Sequence, residues 1–370
     1  SRGGVQLTPF EFSAADYEEN RHYFLAKYFR EHYAEGMQSL PNVKTGINIG
    51  RVEVWVTNKS GSTTNTRNIV ALTDLGENAN ISNTHHWSTL GMTVPSNNAN
   101  TEYAAMTGSF NAARDINQTS SVLDGAGLTG GNDYEKLESA RLLTPSEYTV
   151  NKALGFISLN TGISTDQVVA VAFEYTYGGQ TYQVGEFAAD RTNVDEALFV
   201  KSLKNTNNVP SQGNWNLMMK NVYRLGDMVE KERFRLDIKY QSDTTGVYLN
   251  YIPEPQVKQQ SIVKLLGADR LDNNNRPYSN GYFDYVEGYT VSNGRVFLPE
   301  PEPFGDDLYR RLVSKGVPVA KAKKYVFSEL YDNTRTIAKQ KISLNLWDNF
   351  VVLRLMLLRL ELIISLKVRS

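Results

Sequence analysis

The chain has 370 residues, 41% hydrophobic and 21% charged, which is enough apolar material for one large or two ordinary domains. A net charge of -1 gives no electrostatic reason to expect nucleic acid or an anionic membrane as the main partner, and the absence of cysteine excludes disulfides, thiolate nucleophiles and cysteine metal sites. Twenty-one tyrosines beside abundant Asn, Thr, Ser and Gly tilt the composition toward exposed or outer-membrane β structure.

Ser1-Arg2-Gly3-Gly4 lacks the apolar core and cleavage pattern of a signal peptide. Ser13 and Asp16 offer a helix start, and the pattern predicts a helix to about Leu40, where Pro41 breaks it. Its stripe is aromatic, with Tyr17, Phe24, Tyr28, Phe29 and Tyr33 on a broad face, and is expected to pack on a sheet. His22 and His32 lie ten residues apart, not at the i, i+4 spacing that seats two ligands over one metal, so core or rim histidines are expected. Ile47 to Thr57 alternates, with Val52, Val54 and Val56 opposite Glu53, Trp55 and Thr57, as a half-buried strand does. Asn58 to Gly61 turns the chain and Asn68 to Leu72 returns, so residues 1–75 read as a helix-hairpin α+β unit.

Residues 76–132 shift to Asn, Thr, Ser and Gly, the profile of a polar excursion that buries little and is weakly ordered. Within it, His85-His86-Trp87 holds two adjacent histidines that diverge on most backbones, with no carboxylate or cysteine at ligand spacing. A protein-contact loop is the expectation there. Residues 133–190 read as a β-rich lobe: a short helix over 133–143, then strands over 148–150, 155–160, 167–177 and 181–187, the last two joined at Gly178-Gly179.

Residues 191–340 read as a second α+β lobe. Asp190 to Lys204 and Trp215 to Leu225 are predicted helices, and 207–213 is a polar linker. Phe234 to Tyr240 alternates as a strand, shorter than the ~9–11 residues that span a bilayer. A short helix, Ile262 to Leu266, stops at Gly267 before a polar loop running to Gly281. Strands follow at 282–286 and 289–298, the hairpin 282–298 turning through Ser292-Asn293-Gly294-Arg295, and Pro299, Pro301 and Pro303 end the ladder. Helices are predicted over 305–315 and 319–340. Tyr148-Thr149-Val150 followed by Gly155-Phe156-Ile157-Ser158-Leu159 echoes Tyr289-Thr290-Val291 followed by Gly294-Arg295-Val296-Phe297-Leu298, one hairpin device used twice. The fold class is α+β: antiparallel hairpins and short mixed sheets with packed amphipathic helices.

The loop region carries the best constellation of hard oxygen ligands: Asp269, Asp272, Asn274, Asp284 and Glu287. It is a weak calcium candidate, because the EF-hand spacing is not met, and the competing reading is Asx-turns that bond their own backbone. Asp284 and Glu287 could be drawn as an acid pair for a carbohydrate-active enzyme, but no substrate-shaped motif surrounds them. A phosphate loop, a G-x-S-x-G elbow and H-E-x-x-H are all missing from the sequence, so no enzyme and no cofactor are expected.

Nine blocks carry a resemblance: LTPFEF, HYFLAKYFREHY, INIGRVEVWVTN, RNIVALTDLGEN, RLLTPSEYTVNKALGFISLN, QVVAVAFEYTYGGQTYQVGEF, LGADRLDNNNRPYSNGYFDYVEG, NGRVFLPEPEPFGDDL and KYVFSELYDNTRTIAKQ. In this order, over Gln6 to Gln340, they resemble the repeated N-terminal module of the SprA (Sov) family, the outer-membrane translocon of the type IX secretion system. The resemblance implies an internal fragment whose soluble lobes adjoin a giant outer-membrane β-barrel, facing the periplasm or the cell surface. It further implies protein secretion, gliding motility and adhesin display. The implied partners are the rest of the barrel, a plug protein, a PorV-like shuttle and secreted cargo. The aromatic helix Tyr17 to Tyr33 and the polar excursion are the expected places for such contacts. Residues 341–370 depart from the family, and either a reading-frame change after about Lys341 or a divergent terminus is expected. Arg354, Arg359 and Glu361 interrupt any transmembrane reading, while the Leu-rich composition would allow a helix. The alternative is a free-standing surface adhesin or calcium-binding module.

Overall fold

The computed structural model describes residues 10–12, 14–226, 229, 231–242, 244–331, 342–347 and 350–356. In chain order its strands are β1 (Phe10–Phe12), β2 (His22–Phe24), β3 (Asn48–Val56), β4 (Thr66–Leu72), β5 (Tyr134–Leu142), β6 (Tyr148–Asn151), β7 (Phe156–Leu159), β8 (Val169–Tyr177) and β9 (Gln180–Val184). They continue with β10 (Leu198–Lys204), β11 (Val222–Arg224), β12 (Arg235–Gln241), β13 (Tyr248–Leu249), β14 (Val291–Ser292), β15 (Arg295–Phe297), β16 (Ile342–Trp347) and β17 (Phe350–Met356). The α-helices are α1 (Lys27–Gln38), α2 (Glu102–Thr107), α3 (Thr119–Gly125), α4 (Ile262–Leu265), α5 (Asp306–Ser314) and α6 (Val319–Ala322). This is an α+β chain of antiparallel sheets and hairpins with two parallel pairings, β4 with β10 and β12 with β17. Among the described residues, no helix is long and apolar enough to cross a membrane.

The chain divides into two compact units. Residues 19–219 form the first, here the barrel unit; residues 1–18 with 220–370 supply the second, the split unit. The boundaries expected after residues 75, 132 and 190 all fall inside the barrel unit.

In the barrel unit, β10 pairs with β4, β4 with β5, β5 with β3, β3 with β8, and β8 back with β10, closing a ring of five strands. β8 does this by splitting one edge, giving Val169 to Val171 to β10 and Phe173 to Tyr177 to β9. A five-stranded barrel is narrow, and its interior is filled by small residues, Ala71, Ala140, Ala170 and Ala172, around Trp55, Phe187 and Leu198. The turn from β8 to β9 is Gly178-Gly179, both at positive φ, as the hairpin reading requires. On α1, Phe29 meets Phe173 and Tyr175 edge-on, and Tyr33 meets Phe24 and Phe156, so the aromatic face does pack on sheet.

Several expectations for this unit are overturned. The first helix begins at Lys27 rather than near Ser13, because His22-Tyr23-Phe24 is fully buried and pairs as a strand with β7. β3 and β4 are not a hairpin, since β5 lies between them. β5 occupies the predicted helix 133–143: Ala140 faces Arg67 and Leu137 faces Ile69, so a bulge at Ser139, φ 50, brings Leu137 and Ala140 to the same side. That three-residue step imitates a helical period. β10 occupies the predicted helix 190–204, and all seven of its residues are buried, leaving no alternation to read. The stretch 76–132 is folded, with α2, a 3-10 turn at Asn111–Arg114 and α3, and it buries Trp87, Met106 and Leu123. Arg114 there lies 4.0 Å over the Phe199 ring and pairs with buried Glu186 at 2.7 Å.

In the split unit, one sheet runs β1-β16-β17-β12-β13 and another β11-β15-β14. β12 keeps its predicted alternation, burying Leu236, Ile238 and Tyr240. α4 starts at Ser261, whose side chain accepts from Lys264 N, and stops at Gly267, φ 73. α5 carries Asp306 and Asp307 in its first turn, the sign its dipole favours. The predicted helix 215–225 is instead a 3-10 turn, Trp215–Leu217, at the end of the barrel unit, followed by β11 in the split unit. The predicted strand 282–286 is irregular because side chains hold it: Asp284 takes backbone N–H groups, and Thr290 Oγ1 accepts from Val286 N. The hairpin after it is short, β14 and β15 joined by Asn293-Gly294 at positive φ. The predicted helix 319–340 ends as α6 at Ala322, and 332–340 lie outside the described residues. The tail is not helical where it is described: β16 and β17 form an antiparallel pair, in keeping with the alternation of Ile342, Leu344 and Leu346 with Ser343 and Asn345.

Candidate functional site

A polar cleft of about 790 Å³ opens in the barrel unit where α1 meets the excursion. The two stretches expected to make contacts therefore line one site. Lys27, Arg30 and Glu31 lie at i, i+3 and i+4 on the first turns of α1, opposite the buried Phe29 and Tyr33. Asn80 to His86 and Gly127 to Asp133 form the facing wall, and Ser211, Gly213 and Asn216 close one side.

Beneath the cleft lies a buried charged cluster that fixes it. Ala26 has no side chain with which to cap α1, so Glu77 caps it from another part of the chain, both carboxylate oxygens accepting from Lys27 N at 3.1 and 3.2 Å. The same carboxylate pairs with Lys201 Nζ at 3.0 Å, and neither side chain has any exposed surface. Lys201 Nζ also donates to Thr73 O. Asp74 accepts from Ser82 N at 2.7 Å and Asn83 N at 2.8 Å, folding the loop that forms the wall. Asn100 Nδ2 donates to the Asp74 and Glu77 carbonyls at 2.8 and 2.9 Å. Glu102 is 1% exposed, its Oε2 has no partner, and burial first and the Asp74 charge second push its carboxyl well above the usual range. Burial likewise lowers the Lys27 ammonium, with Glu77 pulling the other way.

Three of the four histidines take structural places. His86 lies with its ring nitrogens 3.1 Å from Asn83 Oδ1 and from Ala126 O, while Asn83 Nδ2 reaches Asp133 Oδ1 at 3.0 Å. His85 is exposed on the cleft wall. His22 is fully buried 2.7 Å from Ser158 Oγ, and His32 stacks on Tyr28 with 4.0 Å between centroids. Ser82 Oγ is 3.0 Å from Lys27 Nζ, a spacing that could suggest a nucleophile and base. However, that ammonium also donates to Asn80 O and lies 4.0 Å from Asp74, which keeps it a structural donor, and Ser82 Oγ sits where a Gly213 Cβ would be. The exposed groups on the cleft walls, His85, Asn80 and Asn216, offer an imidazole and amides for recognition.

The acid loop lies apart, in the split unit. Asp269 accepts from Ser279 Oγ, Asn280 N and Gly281 N at 2.8 to 3.0 Å, and Asp272 from Asn274 N and Arg276 N at 2.8 and 2.9 Å. Asp284 accepts from Arg270 N and Leu271 N at 2.8 and 2.9 Å, and Glu287 from the Tyr285 hydroxyl at 2.8 Å. Burial pushes Asp284 up to about 6 against the lowering effect of those two donors. The Asp272 bonds are the Asx-type turn of the competing reading, whereas Asp269 and Asp284 tie together backbone ten or more residues away in sequence; no group of three acidic or histidine ligands forms among the described residues. Phe234, Phe283 and Tyr285 cluster beside the loop, with centroids 5.2 and 5.8 Å from Phe234.

Sequence reasoning missed Asp74, Glu77, Glu102 and Lys201; Lys201 alone carried a signal, a charge inside the otherwise apolar run LFVKSLK, while the three acids lie in polar stretches. Lys204 was missed in the same way. Its Nζ closes one end of the barrel on the carbonyls of Thr165, Gln167 and Asn205, and burial lowers it to about 8. No protein-family model matches the chain, and no curated protein is similar enough to count as a relative.

Proposed function

We propose that this chain is a non-catalytic part of the outer-membrane translocon of the type IX secretion system, working in the secretion of folded cargo and the display of adhesins. The observation that carries the reading is the run of nine sequence blocks in the family's order. Those blocks fall on the residues that build both units: β2 with α1, β3, β4 with the Asp74–Glu77 turn, the β6–β7 and β8–β9 hairpins, and the acid loop with β15 and α5. The cleft between α1 and the excursion suits the role of a non-catalytic contact. Its exposed donors and amides can meet the backbone and polar side chains of a partner protein, while the charges beneath hold the walls still. On this reading the partners are the remaining barrel, its plug, a PorV-like shuttle or cargo, and the units face the periplasm or the cell surface.

An in-frame deletion of codons 19–219 in the source bacterium tests the reading. Cargo bearing the family's C-terminal signal is expected to accumulate inside the cell envelope and to disappear from the surface and medium. Unchanged secretion of that cargo would refute the assignment.

A further inference from the structure

In the split unit, a second cavity of about 640 Å³ opens between the start of β12 and the acid loop. Its apolar lining is made by Leu271 and Phe283, both buried, and by Phe234, which packs on Phe283 and Tyr285 with 5.8 and 5.2 Å between ring centroids. One large ring is left out of that packing. Tyr282 lines the cavity with 48% of its surface exposed, and the Arg235 guanidinium lies 5.5 Å from its ring centroid. Asp272, Asn273 and Asn280 supply the loop side of the cavity, and Lys231 and Glu232 the side that leads into β12.

The loop side is fixed by its own hydrogen bonds. Asp269 accepts from Asn280 N and Gly281 N, Asn280 Oδ1 accepts from Tyr282 N at 3.0 Å, and Asn280 Nδ2 donates to Asn273 Oδ1 at 3.1 Å. Asp284 has both oxygens on backbone, one accepting from Arg270 N and the other from Leu271 N, so its part is to hold the wall. Asp272 differs. It uses Oδ1 alone, for Asn274 N and Arg276 N, and among the described residues its Oδ2 has no partner. Asn273 Nδ2 has none there either. An acceptor, a donor and an aromatic face thus stand ready on a braced wall, which lowers the ordering cost of binding.

We propose that this cavity is a saccharide-binding site, with Tyr282 as the platform on which a neutral pyranose stacks and Asp272 and Asn273 as the partners of its hydroxyls. A pyranose presents C–H groups on its ring face and hydroxyls around its rim, each of them both donor and acceptor. The ring face matches an exposed aromatic side chain, and neighbouring hydroxyls match a carboxylate oxygen next to an amide. Charge argues for a neutral ligand: Lys231 and Arg235 are set against Glu232, Asp272 and Asp284, so no positive excess selects an anion. A peptide added as a further strand finds no open edge, because β12 already pairs with β13 on one side and β17 on the other. The secretion reading neither requires this site nor supplies it.

Saturation-transfer difference NMR on the full chain tests the site. The probes are the neutral oligosaccharides cellotetraose, maltotetraose, mannotetraose and chitotetraose, with tetragalacturonate and a tetraproline peptide as the acidic and peptide alternatives. At least one neutral oligosaccharide is expected to receive saturation at millimolar concentration. Tyr282→Ala is expected to weaken its binding by about fivefold or more, while Tyr282→Phe stays near the wild type, since the ring makes the contact. Asp272→Asn keeps an oxygen for the loop's own bonds and leaves the ring packing untouched, and it is expected to weaken binding several-fold. Transfer to none of the neutral oligosaccharides, transfer only to tetragalacturonate or tetraproline, or equal affinity in the wild type and Tyr282→Ala would each overturn the proposal.

Discussion

Glu102 holds a carboxyl in the interior of the barrel unit beside Asp74, Lys201, Asp133 and Glu77, and burial is the larger cause of its raised pKa. The folded chain therefore keeps a proton that the unfolded chain gives up. Stability from this group is fully present below the unfolded glutamate value of about 4.3 and is lost as pH rises through the folded one. Glu102→Gln is neutral at every pH. Urea midpoints of the two chains are expected to agree near the bottom of that window and to separate in favour of the variant as pH rises to neutrality; a constant offset across pH would contradict the assignment. None of this was legible in the sequence. Glu77 meets Lys201 through tertiary pairing of β4 with β10, and no local pattern announces a partner more than a hundred residues away. The carboxylates of the acid loop were more legible, because an Asx-turn is made by neighbours: Asp272 bonds Asn274 N and Arg276 N.

At the scale of elements, periodicity found what had one exposed side and failed where both sides are covered. β12 alternates in sequence and in burial, and the β8–β9 turn, the stop of α4 and the Asn293-Gly294 turn were all readable from glycine and capping chemistry. β10 is buried throughout and β5 carries a bulge, so both presented apolar spacings that fit a helix. The excursion looked disordered because its Asn, Ser and Thr residues fold it by side-chain to backbone bonds, as at Asn97, Asn100 and Thr119, rather than by apolar burial alone. The bulge makes a prediction. Ser139 adopts φ 50 while its N–H reaches Asn68 Oδ1 at 2.9 Å, so Ser139→Gly is expected to raise stability by up to about 1 kcal/mol. Ser139→Val is expected to lower it by about 1–2 kcal/mol in the same denaturation assay, since a β-branched residue resists that conformation. Equal midpoints for glycine and valine would mean that the bulge is not where the register shifts.

For the whole molecule, the sequence indicated an α+β chain, and it showed a repeated hairpin pattern whose matching leading strands became visible only with the strands in place. The hairpin echo could be read from Tyr-Thr-Val and a following glycine, whereas the matching of β2 with β11 rests on single residues, Tyr23 with Tyr223 and Leu25 with Leu225, that no window would single out. The closed five-stranded ring is hidden for a different reason: its closure is the pairing of β10 with β8, and the apolar spacing of β10 fits a helix. The central claim is that these units belong to an outer-membrane translocon, and the source gene tests it most directly. Sequencing should cover the codons for Tyr325 to Ser370 and several hundred bases beyond, read in all three frames. The account predicts a long frame of alternating β-barrel strands joining the codons near Gln340. A genuine stop after Ser370, with no barrel-coding frame downstream, would contradict it.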